Sequence, residues 1–276
     1  MGDFSKVFKF LFTYIFVCLG FLVIPIVLLT LGLNLGGFFN FFNNYSNMPV
    51  KNFISFFGSF VTLNYLNIIY ILLFLIIAPV FTSAFLAYVK AKNTGERFNH
   101  ITTITTIKSD YVSNLFVLAL VLISFYALTA ILSAVLLFSH GLFNSLSNTA
   151  NLITVILAIL LFLVYAYINL RLLVLFFLLL ANLTLIGFSF SVSIKNAWFT
   201  SVQNTASIHL MLGGLLIICF AAYLACMYLF SFTNLVCIAI GLFLLIAPLL
   251  ILTVSIFIKH NNIPLVEGKK KDYYKK

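Results

Sequence analysis

"YINLRLLVLFFLLLANLTL", residues Tyr167 to Leu185, carries a single charge, Arg171, inside an apolar run from Leu152 to Phe188 that holds no other charged residue. A hydrocarbon core of about 30 Å takes roughly 20 apolar residues as a helix, so this run is long for one crossing. Its reading decides the architecture. Kept whole, it gives an even number of spans. Split in two, it sends the basic C-terminal tail to the side opposite the other basic segments.

The rest of the chain favours the unsplit reading. Of 276 residues, 64% are hydrophobic and 7% charged, with a mean hydropathy of +1.22. Soluble domains carry about 25% charged residues, so lipid has to be the main solvent of this chain. Apolar runs mark six spans at about 10–33, 64–89, 114–138, 152–183, 208–231 and 234–258, in a single membrane domain over 1–276. Loops are expected at 34–63, 90–113, 139–151 and 184–207, with a tight turn near Ser231–Asn234. With six spans, every lysine and arginine except Lys51 and Arg171 falls on one side. The positive-inside rule makes that side, and both termini, cytoplasmic. The expected fold class is therefore all-α: a polytopic membrane helix bundle of six transmembrane helices plus short cytoplasmic interfacial helices. A composition rich in Phe, Leu, Ile, Asn and Lys fits an A/T-rich genome, and a bacterial cytoplasmic membrane is the expected location.

The net charge of +10 is accounted for by topology and by attraction to anionic inner-leaflet headgroups, without a nucleic-acid partner. Membrane lipids are the expected partners, with protein partners in a membrane complex as a further expectation. The sequon Asn44-Tyr45-Ser46 lies in the outer loop.

Chemistry-bearing patterns are sparse, and no catalytic, cofactor-binding or metal-binding residue is assigned. Cys18, Cys219, Cys226 and Cys237 lie in apolar runs without C-x-x-C spacing, which reads as small hydrophobes. The acids Asp3, Glu96, Asp110, Glu267 and Asp272 all lie in loops or tails, whereas intramembrane proton and cation sites usually need a carboxylate in a span. His100, His140, His209 and His260 form no paired-ligand motif, and no P-loop or nucleophile elbow is present. His100 and His209 are placed at the cytoplasmic interface, near Glu96 or Asp110.

Both longer cytoplasmic connections show helical periodicity. Phe98, Ile101, Ile104, Ile107 and Tyr111 line one face, with Lys108 on the polar side; Ile194, Trp198 and Val202 line another, with Ala197 beside them and Lys195 as an interfacial candidate. Each is expected to lie in the interface, with Trp198, the one tryptophan, at belt height. Span, interfacial helix and span occur twice, which suggests a parallel duplication of spans 2–3 in spans 4–5. Small-residue stripes at Ser83/Ala87/Ala91, Ala130/Ala134 and Ala221/Ala225 suit close helix packing. Tyr126, Thr129 and Ser133 on span 3, with Tyr165 and Asn169 on span 4, form a candidate polar seam. Arg171 is 19 residues past Leu152, or roughly 29 Å at 1.5 Å per residue. That height makes it a candidate inner-leaflet anchor, partnered by Asn169, Tyr165 or a lipid phosphate.

Arg171, the segment "SIKNAWFTSVQN" at Ser193–Asn204, and Pro248 in the last span together resemble the second half of the glycerophosphodiester phosphodiesterase membrane-domain family and its uncharacterised polytopic relatives. The connection with Gly95, Glu96 and Arg97 is similar to that family's first-half loop. The resemblance spans about helices 2 to 6 and implies a helical membrane domain without the family's separate soluble catalytic barrel. Arg171-Leu172 in "NLRLLVL" is also similar to the arginine setting of rotary ATP synthase a subunits, with Val174 and Leu175 where that pattern has asparagine. The expected function is a non-enzymatic accessory, scaffold or lipid-interacting membrane protein. The alternative is a channel or transporter subunit, including a divergent a-like subunit, using the polar seam around Arg171.

Overall fold

The computed structural model describes residues 2–33, 64–144, 150–186, 189–228 and 234–261. Eight helices cover these residues: α1 (Gly2–Thr13), α2 (Ile15–Gly32), α3 (Tyr65–Thr94), α4 (His100–Asn144), α5 (Ala150–Ile186), α6 (Phe190–Gln203), α7 (Thr205–Tyr228) and α8 (Asn234–His260). The chain is an all-α polytopic bundle. Five helical segments, in α2, α3, α4, α5 and α8, are each long and apolar enough to cross a membrane. A sixth crossing is made by α7 when it is counted with α6, to which it is bent by 78°.

The hub is α8, which packs against α1, α2, α3, α5, α6 and α7. From Ala247 to Val254 every residue is buried, so this stretch has no outward face. A helix buried all round needs apolar residues at every position, and "APLLILTV" supplies them, with Thr253 donating its hydroxyl to Leu250 O at 2.8 Å. The outer helices instead carry one exposed apolar stripe. On α3 it is Ile69, Leu72, Leu73, Ile76 and Val80. Such stripes are stable only against lipid or a partner.

Two prolines shape α2 and α3. Pro79 removes an N–H from the interior of α3, which loosens the carbonyls one turn earlier. Tyr111 of α4 answers by donating its hydroxyl to Ile76 O at 2.8 Å, and Thr82 donates to Ala78 O at 2.7 Å. At the other end of α3, Asn67 donates to Leu31 O at 2.7 Å and also accepts from the Asn64 N–H, so one side chain caps α2 and α3 together. Gly32 permits that approach, because a Cβ there would lie 2.8 Å from Ile71 Cγ1.

The structure departs from expectation in four places. The first span breaks at Tyr14, so residues 10–13 belong to α1, which buries Val7 and Leu11. The helix expected over 98–111 exists but does not stand alone. It runs without a break into the next span as α4, 45 residues or roughly 67 Å long. No proline or glycine interrupts the junction, and Tyr111 is tied to α3, so nothing stops the helix. The two expected repeat units therefore differ, one continuous and one bent. Lastly, Ala130 and Ala134 face outward, whereas Ser83 and Ala91 are buried.

The loop with Asn44, the turn at 229–233 and the tail beyond residue 261 lie outside the described residues.

Candidate functional site

Arg171 projects from α5 to the corner where α6 ends and α7 begins. Its Nη2 donates to Ser201 O at 3.0 Å and to Thr205 Oγ1 at 3.2 Å. A helix end leaves carbonyls unpaired and carries a partial negative charge, so a guanidinium is well matched to it. The neighbouring carbonyls are also satisfied. Thr205 donates to Val202 O at 2.7 Å, and Asn204 donates Nδ2 to Thr200 O at 2.9 Å. The protein partners of Arg171 thus differ from the expected Asn169 and Tyr165. Asn169 turns back on its own helix, donating to Tyr165 O at 3.0 Å. Arg171 Nη1 is buried and has no acceptor among the described residues.

This latch fixes how α6 lies. Its buried face is Ser193, Ala197, Thr200 and Ser201, small residues that seat the helix closely on α5 and α8. Its outward face is Ile194, Trp198, Phe199 and Val202, with Trp198 60% exposed. Lys195 is exposed on that outward face, between Val202 and Phe199. The helix is therefore amphipathic in an unusual sense: small and hydroxyl-bearing inward, large and apolar outward.

The seam residues are only partly brought together. Thr129 Oγ1 and Tyr165 Oη lie 2.7 Å apart between α4 and α5. Thr129 also donates to Phe125 O at 2.7 Å, which leaves the tyrosine hydroxyl as the donor between them. Tyr126 Oη is buried with no partner among the described residues. The Ser133 side chain lies outside the described residues. His209 on α7 pairs through Nε2 with the Tyr167 hydroxyl on α5, and not with Glu96 or Asp110. Lys108 is exposed on the α4 extension.

A second polar constellation joins α3, α4 and α5. Asn114, fully buried, donates Nδ2 to Ser83 Oγ at 2.7 Å and to Thr184 Oγ1 at 3.2 Å, while its Oδ1 has no partner among the described residues. Leaving such an acceptor unpaired costs about 1–3 kcal/mol. Ser83 and Thr184 form the floor of a cleft of about 160 Å³, whose mouth carries Lys90, Glu96 and Arg97. Sequence reasoning passed over Asn114. Its signal was an amide in a span, which has to find a partner on another helix.

An aromatic cluster ties α1 and α2 to α3 near the same end. Tyr14, Phe21 and Phe98 each lie about 6 Å or less from Tyr88, and the Lys92 ammonium stands 5.5 Å from the Tyr14 ring and 5.7 Å from the Tyr88 ring.

Comparison with protein-family models, with curated proteins and with solved structures finds no match to this chain.

Proposed function

We propose that this chain is a non-enzymatic, lipid-interacting accessory protein of a bacterial cytoplasmic membrane, with both termini cytoplasmic. In this reading α6 lies flat in the headgroup region of the inner leaflet. One observation carries it: α6 turns 78° from α7 and presents Ile194, Trp198, Phe199 and Val202 outward while burying its small residues. In water that face would be a liability; at an interface it is an anchor. Lys195, on the same outward face with a stem long enough to reach headgroups, and Lys259 at the end of α8 suit anionic lipid.

The alternative, a channel or transporter subunit, needs polar groups that face a solute path. Arg171 Nη2 and the Thr129–Tyr165 pair are instead engaged with protein partners, which gives that reading less support. The test is reconstitution into sealed vesicles. The account predicts that imposed ion and solute gradients persist. A flux that Arg171→Ala abolishes would replace this reading with the transport one.

A further inference from the structure

The cleft between α3, α4 and α5 is independent of α6, and it is built like a receptor for an oxygen-rich anion. Lys90 and Arg97 stand at its mouth with Glu96, which leaves the mouth net positive. The first turn of α4 borders it through Thr103, adding the positive end of a helix dipole. The floor is polarised the same way. Asn114 Nδ2 donates to both Ser83 Oγ and Thr184 Oγ1, so each hydroxyl is engaged as an acceptor and keeps its proton to give. Among the described residues neither hydroxyl donates to an acceptor. Ser83 lies seven residues from Lys90 on α3, or roughly 10 Å deeper.

We propose that this cleft binds a phosphate group, held by Lys90 and Arg97, on a small ligand whose oxygens reach the Ser83 and Thr184 hydroxyls. Phosphate fits better than carboxylate because the lining combines a guanidinium, an ammonium and two hydroxyls as potential donors. A planar two-oxygen anion would leave some of them unused, whereas a tetrahedral phosphate takes the arginine fork and the ammonium together. The phosphate belongs either to a soluble ester or to the headgroup of an anionic phospholipid.

The test uses the full chain. Inorganic phosphate and glycerol phosphate are titrated into detergent-solubilised protein by calorimetry. In parallel, nanodiscs of phosphatidylcholine with and without phosphatidylglycerol are compared for lipid retention by native mass spectrometry. Saturable binding of the soluble esters assigns the site to a soluble ligand; selective retention of phosphatidylglycerol alone assigns it to a headgroup. Either outcome supports the proposal if Arg97→Gln and Lys90→Gln each weaken binding at least tenfold while Lys92→Gln, two residues on and facing the aromatic cluster, leaves it unchanged. Because Arg97 is exposed, its variant should keep full helicity by circular dichroism. Failure of the wild type to bind either probe overturns the proposal. So does binding that both mouth variants leave intact. Neither failure touches the reading of α6.

Discussion

Arg171 and Ser201 meet at 3.0 Å although they lie thirty residues apart and on different helices. The contact joins a side chain in mid-helix to the last turn of α6, and Thr205 on α7 shares the same guanidinium nitrogen. One cation thus secures two helices at their corner. A hydrogen bond from a charged donor is worth about 1.5–3 kcal/mol. Arg171→Met should cost stability of that order in detergent unfolding, and Arg171→Lys less, since an ammonium keeps the charge but loses the planar fork. Hydrogen exchange should speed up within Phe190–Gln203 in the Met variant and stay unchanged in α2.

The buried amide gives a second prediction. Asn114→Ala removes the donor to both Ser83 and Thr184 and leaves two buried hydroxyls unpaired. The expected loss is about 1–2 kcal/mol, with Ser83→Ala costing less. A double-mutant cycle for Asn114 and Ser83 in detergent unfolding should show coupling of about 0.5–1.5 kcal/mol. Strict additivity would mean that the pair is not formed.

Glycines separate into two kinds. A Cβ on Gly32 would meet Ile71 Cγ1 at 2.8 Å and Ile71 N at 3.3 Å, whereas a Cβ on Gly20, Gly213 or Gly241 meets nothing within 4 Å. Gly32→Val should therefore force α2 and α3 apart at a cost of about 1–3 kcal/mol. Gly20→Ala should be neutral or stabilising by up to about 1 kcal/mol. Thermal unfolding of the two variants side by side reads this difference.

Tyr165→Phe tests the seam. It removes the Thr129 contact but keeps the ring. Loss of about 1 kcal/mol with vesicles still sealed is the expected result. A variant that altered ion leakage would point to a solute path there.

Much of the architecture is legible in hydropathy, because a span announces itself by length and composition. Relative placement is not. The run 247–254 of α8 and the run 177–184 of α5 are buried all round, whereas the equally apolar "YLNIIYILLFLII" of α3 carries an exposed stripe, since that depends on which helices surround each. The Ala130/Ala134 stripe has the spacing of a packing face but points outward; lipid and helix contacts draw on the same letters in an apolar span. Arg171 stood out as a lone charge, while its partners did not, because backbone carbonyls carry no sequence signal. The buried face of α6, Ser193, Ala197, Thr200 and Ser201, is not marked, because the apolar periodicity draws attention to Ile194, Trp198 and Val202 and small residues carry little hydropathy signal. Ser83, Asn114 and Thr184 are single polar letters in three distant runs, and only the fold brings them together.

The central claim is that α6 lies in the headgroup region with its large apolar face in lipid. Trp198 is the chain's one tryptophan, so its fluorescence reports α6 alone. The direct measurement is quenching of that emission in nanodiscs whose acyl chains carry bromine at shallow, middle or deep positions. The account predicts strongest quenching from the shallow bromines, weakened when Arg171→Met frees the corner. Trp198 quenched only by aqueous iodide, or most strongly by the deepest bromines, would contradict it.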